Sequence, residues 1–181
     1  FITDYLLIGP EDKKKDMATI LAKKLYTDTE LYTDQIIVID NGTIVRVIPS
    51  SAVSATPTLI VDSISAAFVD LQINGGAAFN FSESASLAAV RDIDEACRLV
   101  GTGYTLPTVI SSPLDNILQA IDAIRQYRDQ YPNSGVLGMH LEGPFISPIR
   151  SGAHAHNFIR RPTDEELTQI IREGKDIIKL M

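Results

Sequence analysis

Tyr104-Thr105-Leu106-Pro107-Thr108-Val109-Ile110, a helical stretch from Pro113 to Tyr131, and then Val136-Leu137-Gly138-Met139-His140-Leu141 decide the fold. The first and last runs are apolar nearly throughout, as strands buried on both faces are. Between them Leu114, Ile117, Leu118, Ile121 and Ile124 recur at the spacing of one helix face. Working outward, Ala67 to Ile73 reads as a strand ending in Asn74-Gly75-Gly76. A helix follows it, with Leu87, Val90, Ile93, Ala96, Cys97 and Val100 inward, closed by Gly101 and Gly103. Downstream, a long polar loop leads to a helix from Thr163 to Glu173 with Leu167, Ile170 and Ile171 inward, and a last strand starts at Ile177. Strict alternation of strand and helix argues for an α/β fold with a parallel sheet and crossover helices. Open doubly wound sheets and (β/α)8 barrels share this pattern.

The preceding region reads differently. Ala18 to Leu25 is an opening strand, Ile36 to Ile39 a second, and Thr43 to Ile48 its return partner across Asp40-Asn41-Gly42. Asn-Gly between β-branched runs is a strong short-range hairpin signal. A Ser/Ala/Pro-rich connection from Pro49 to Pro57 leads to a short strand at Leu59 to Asp62. Three regions result: an extension of uncertain origin over 1–16, a small β domain over 17–64, and an α/β domain over 65–181. The extension carries the apolar patch Tyr5 to Ile8 and the charged run Glu11 to Asp16.

Composition narrows the function classes. Apolar residues make up 45% of the 181 and charged residues 22%, which fits a globular protein rather than a disordered or fibrous one. A net charge of −7 argues against a general nucleic-acid or anionic-membrane surface. One cysteine, Cys97, cannot form an intrachain disulfide, and this fits a reducing, cytoplasmic setting. No apolar run approaches the roughly 20 residues of a membrane span.

Polar residues gather at the C-terminal ends of the α/β strands, where barrel enzymes place their chemistry. They are Gln72 and Asn74, Thr108, and His140 with Glu142. A carboxylate at an apolar strand top is costly unless paired or metal-bound. Glu142, followed by Gly143-Pro144, can therefore ligate a divalent ion, form a salt bridge or cap a loop. His140 shares its strand face and reads equally as a satisfied near-core histidine. His154 and His156 form an H-x-H in the long loop, where contact with a substrate is a better reading than chelation. Arg150, Arg160 and Arg161 could meet an anionic ligand or be solvated loop charge.

Four segments carry a resemblance: Phe68 to Gly76, Tyr104 to Ser112, Gly138 to Phe145, and Gly152-Ala153-His154 with Asn157 to Arg160. Together they resemble the N-acetylglucosamine-6-phosphate deacetylases of the amidohydrolase superfamily. Order and spacing fit from about Met17 to Met181. The run His140-Leu141-Glu142-Gly143-Pro144, followed by Gly152-x-His154, is the specific part. Residues 1–16 match no part of the family's pattern.

The resemblance implies the first half of a (β/α)8 TIM-like barrel, about four βα units, preceded by part of a small β-sandwich. It implies one divalent metal, zinc or alternatively iron. Glu142 matches the metal-binding carboxylate, Ala153 and His154 match substrate contacts, and Gln72 matches a side chain lining the pocket. Gln72-x-Asn74 stands where many amidohydrolases carry H-x-H, which argues for a mononuclear site. The implied reaction is hydrolysis of the acetamide of N-acetylglucosamine 6-phosphate, in a homodimeric enzyme. Two further histidine ligands and the proton-transferring aspartate would lie beyond Met181, so the chain alone is expected to be inactive. Two other readings stand beside this one: another amidohydrolase, such as a dihydroorotase-like or deaminase relative, and a non-catalytic half-barrel serving assembly.

Overall fold

A computed structural model describes residues 17–181. The extension expected over 1–16 lies outside the described residues. The described chain divides into two compact units, 17–66 and 67–181.

The first unit is one mixed sheet of four strands, β1 (Ala18–Tyr26), β2 (Leu31–Asp40), β3 (Thr43–Pro49) and β4 (Leu59–Ile64), in the order β3-β2-β1-β4. β1 pairs antiparallel with β2 and parallel with β4, so the chain must cross over before β4. The Asn41-Gly42 turn joins β2 to β3 as expected. Both residues have positive φ, 49° and 75°, as a tight turn that follows the strands' twist requires. β2 is longer than the sequence suggested, because Leu31 to Gln35 pair along β1 although they are largely polar and exposed. The described residues of this unit form a single layer, not the two facing layers of a sandwich.

The second unit holds β5 (Phe68–Ile73), α1 (Leu87–Leu99), β6 (Thr102–Ile110), α2 (Leu114–Gln130), β7 (Met139–Glu142), α3 (Asp164–Gly174) and β8 (Ile178–Leu180). Its sheet runs β5-β6-β7-β8 with every pair parallel, as the alternating pattern predicted. The core lies between sheet and helices. Val109, Met139 and Leu141 from the strands meet Val90 and Ile93 of α1, Ile117, Ile121 and Ile124 of α2, and Ile170 of α3.

Local chemistry sets the ends of the helices. The side chains of Ser86 and Thr163 cap α1 and α3, accepting from the N–H groups of Ala89 and Glu166. Three acidic residues fill the first turn of α3, where the helix dipole favours them. Three local readings change. Val100 is exposed and caps the end of α1 instead of packing inward. Ile171 is also exposed, because the buried stripe of α3 runs through Ile170 and Gly174, a quarter-turn away. The third strand begins at Met139, not Val136: Val136 makes only an isolated bridge to Thr105 before the chain leaves the ladder.

Asp94 ties this unit together. Its buried carboxylate accepts from Arg98 at 2.8 Å, from the Tyr127 hydroxyl at 2.8 Å and from the Gly135 N–H at 3.3 Å. It thereby joins α1, α2 and the loop entering β7. Burial, with the acceptor Asp94 beside it, holds the Tyr127 hydroxyl well above the ordinary phenol range, so it remains a donor. Cys97 is buried and unpaired, and burial pushes its thiol upward, away from reactivity.

Candidate functional site

Glu142 is the last residue of β7, and its half-buried carboxylate is the centre of a cluster at the strand ends. Gln72, near the end of β5, donates from Nε2 to Glu142 Oε2 at 2.8 Å. His154 Nε2 lies 3.5 Å from Glu142 Oε1. Gln72 lies 70 positions before Glu142 in sequence, and the two meet only through the fold, because β5 and β7 flank β6; His154 is brought back to Glu142 by the loop that follows β7.

Ser111, just after β6, supports His154 from the other side. Its N–H donates to His154 Nδ1 at 3.2 Å, and its hydroxyl lies 2.7 Å from the same atom. Gly143 makes room for this contact. Its φ is +94°, and a Cβ there would sit 2.4 Å from Ser111 Oγ. The peptide between Gly143 and Pro144 is cis.

The loop itself is pinned by Arg160. Its guanidinium donates to Glu166 on α3, to the Ser112 carbonyl at 3.0 Å and to the Phe158 carbonyl at 2.8 Å. The Arg160 N–H also donates to the Pro144 carbonyl at 3.2 Å. Arg160 is therefore an internal brace, not solvated loop charge. Arg150 and Arg161 are exposed.

Other sequence candidates part company here. His156 turns to Ser151, with Nε2 3.2 Å from Oγ, so the two rings of the H-x-H find different partners. Ala153 is exposed beside His154. Asn74 lies past the end of β5, and its side chain makes no hydrogen bond among the described residues. Gly75 and Gly76 do permit close approach, but to their own chain: they pack against Phe79 and Asp92. Asp92 in turn accepts from the N–H groups of Ala78 and Phe79. Thr108 is buried and structural, accepting from the Ile73 N–H and donating to the Leu106 carbonyl where the β5–β6 ladder shifts. His140 is buried on the strand face of Glu142, yet its Nδ1 has no partner among the described residues. It is therefore not the satisfied near-core histidine that the sequence also allowed.

The described residues do not by themselves fit a metal. A structural or catalytic zinc needs about three protein ligands. Here one carboxylate is offered, one of its oxygens already engaged by an amide, and no group of three His, Cys, Asp or Glu among the described residues could hold an ion.

Sequence reasoning named Gly143 and Arg160 but not their supporting roles, and it did not single out Ser111 as part of the site. The pair Ser111-Ser112 at a strand end was the only local signal, and it does not distinguish a support from an ordinary loop start.

No protein-family model matches the sequence. By class, the proteins to which the chain is similar are sugar-phosphate deacetylases. The resemblance found in the sequence, to N-acetylglucosamine-6-phosphate deacetylase, is the particular one these relatives bear out. The enzyme of that name from Haemophilus influenzae is 31% identical over 87% of this chain and 42% of its own length. An N-acetylgalactosamine-6-phosphate deacetylase from a Shewanella species is 35% identical over 60% of this chain and 27% of its own. The crystal structure of N-acetylglucosamine-6-phosphate deacetylase from Pasteurella multocida superposes with a TM-score of 0.79 and 28% identity, covering 90% of this chain and 43% of that one. The chain thus spans about two fifths, or less, of the relatives it matches. No helix among the described residues is long and apolar enough to cross a membrane.

Proposed function

We propose that this chain supplies the Glu142 corner of an amino-sugar-phosphate deacetylase. The reaction is hydrolysis of the acetamide of N-acetylglucosamine 6-phosphate to glucosamine 6-phosphate and acetate. The observation that carries the reading is the convergence of Gln72, Glu142 and His154 at the strand ends, in a chain similar to enzymes of that name. In this reading the 67–181 unit is the first part of a (β/α)8 barrel, and the 17–66 sheet is part of a small β-sandwich. Glu142 is the residue that would contribute to a divalent-metal site, zinc or iron. The described residues supply one of the ligands such a site needs.

The residues present have definite roles. The Gln72 amide engages one oxygen of Glu142 and fixes the carboxylate's plane. His154, with Ala153 beside it, borders the same mouth and contacts the sugar. The acidic chain meets its anionic substrate through local groups, not through net charge. The protein is cytoplasmic and forms a homodimer in this reading.

The experiment is an acetate-release assay on the protein in which this chain occurs, using N-acetylglucosamine 6-phosphate and its galactosamine epimer, with zinc and after chelation. Acetate release from the glucosamine substrate is expected. Glu142→Gln should lose bound metal and activity together, because the neutral amide is a poor ligand. Release from the galactosamine substrate alone would move the assignment to the second relative. Full metal occupancy in the Gln variant, by elemental analysis, would remove Glu142 from the site. The 181 residues alone are expected to be inactive.

A further inference from the structure

The two nitrogens of His154 face different environments. On one side a main-chain N–H, that of Ser111, points at Nδ1 from 3.2 Å. A main-chain N–H can only donate, so Nδ1 must be the acceptor. The Ser111 hydroxyl, 2.7 Å from the same nitrogen, then donates to it as well. A neutral imidazole whose Nδ1 accepts carries its proton on Nε2. That nitrogen lies 3.5 Å from Glu142 Oε1.

We propose that Ser111 is a positioning residue that fixes His154 as the Nε2–H tautomer, with that N–H turned toward the Glu142 carboxylate and the mouth beside it. The seat is built from several directions. The side chain of His154 is 9% exposed, and Ser111 is 2% exposed. Gly143 leaves the space Ser111 Oγ occupies, and Arg160 holds the carbonyl of Ser112, one residue on. His154 therefore offers a donor to anything lodged against Glu142. It suits an oxygen acceptor, such as an amide carbonyl or a sugar hydroxyl oxygen, and not a ligand N–H. This specificity rests on the function proposed above in taking the Glu142 corner as the site. The tautomer itself does not depend on it.

The test is nitrogen NMR on the full chain labelled with ¹⁵N, in which His140 and His156 serve as internal references. Long-range proton–nitrogen spectra distinguish the two tautomers, and a nitrogen–nitrogen coupling across the Ser111 N–H···Nδ1 bond reports the contact directly. The expected result is a His154 signal dominated by the Nε2–H form, with that coupling present. In Ser111→Ala the main-chain donor remains and only the hydroxyl contact is lost, so the Nε2–H form and the coupling should persist. A His154 dominated by the Nδ1–H form, in the unaltered chain or in a folded Ser111→Ala, would overturn the proposal. Should that variant not fold, the coupling in the unaltered chain decides: present, it supports the lock; absent, it refutes it. None of these readouts uses acetate release. A locked tautomer in a protein without deacetylase activity would refute the proposed function and leave this inference standing.

Discussion

The two units of this molecule carry similar apolar strands and use them differently. In the 17–66 sheet Ala22, Ile36 and Ile37 are buried, whereas Ile44, Val45, Val47 and Ile60 are each around half exposed or more. In the 67–181 unit Val90, Ile93, Ile117, Ile121, Ile124 and Leu141 are sealed between sheet and helices. The difference is one of layers. A sheet buries an apolar face only against a second layer. The parallel unit supplies its own in α1, α2 and α3, and the described mixed sheet does not. Strand composition thus predicts pairing in both units but burial only where a second layer covers the strand; in the parallel unit's own β5, Phe68, Val69 and Leu71 are more than half exposed. Stability and site geometry accordingly reside in the parallel unit, and substitutions should be felt very unequally between the two.

The largest effect should come from hollowing the helix–sheet layer. Ile121 is 1% exposed, and Ile121→Ala should cost about 3–4 kcal/mol, the removed burial plus the cavity left behind. Ile44→Ala, at a 61% exposed position, should cost less than about 0.5 kcal/mol. Chemical denaturation of both variants checks the contrast. Equal losses would mean that something covers the mixed sheet after all.

Asp94→Ala should come next, at about 2–3 kcal/mol. It leaves the Tyr127 hydroxyl and the Gly135 N–H buried without their acceptor, which costs more than the bonds were worth. The same substitution sharpens the comparison, because the mixed sheet has no buried charged group of this kind among its described residues. Hydrogen exchange should show the loss concentrated in α1, α2 and the entry to β7. Loss of protection in β1 or β2 would show that the units are not energetically separate.

How much of this was legible in sequence follows from range. The Asn41-Gly42 turn, the apolar stripe of α2, that of α1 as far as Cys97 and the alternation of strand and helix depend on neighbours a few residues away, and they read correctly. Gln72, Glu142 and His154 could be picked out as polar residues at or after strand ends, and the fold does bring them together. The supports could not be read. Ser111 reaches His154 across 43 residues, and Arg160 reaches the Ser112 carbonyl across 48. Neither contact leaves a periodic trace. Ile171 misled because residues 170 and 171 are both apolar and only packing chooses between them. The length of β2 misled because exposed polar residues pair as well as apolar ones.

Gly143→Ala should be milder than either core change, at about 1–2 kcal/mol, but its effect should be local to the site. A side chain at φ +94° is strained, and its Cβ would displace Ser111 Oγ from 2.4 Å. The His154 ring resonances should shift while those of Tyr127 stay in place. A shift of both would spread the effect into the core and blur the separation between strand-end cluster and helix layer.

The smallest effect belongs to the one side-chain ion pair among the described residues of the mixed sheet, Lys23 to Asp62 at 2.7 Å between β1 and β4. Both side chains are more than half exposed, so the pair is well solvated and screened. The hydrogen bond from Lys23 holds the Asp62 carboxyl below its ordinary 3.8, and the bond to Asp62 holds Lys23 above its ordinary 10.5. For Asp62, lowered on folding, the stabilisation is present above about 4 and is lost as pH falls through the folded value. For Lys23, raised on folding, it is present below about 10 and is lost as pH rises through the folded value. Asp62→Asn should therefore lower the unfolding midpoint slightly at neutral pH, less in high salt, and not at all at either pH extreme. Midpoints measured against pH and salt check this. A deficit that persists in molar salt would show that the contact is worth more than its exposure allows, and that the mixed sheet is not the lightly held partner of this comparison.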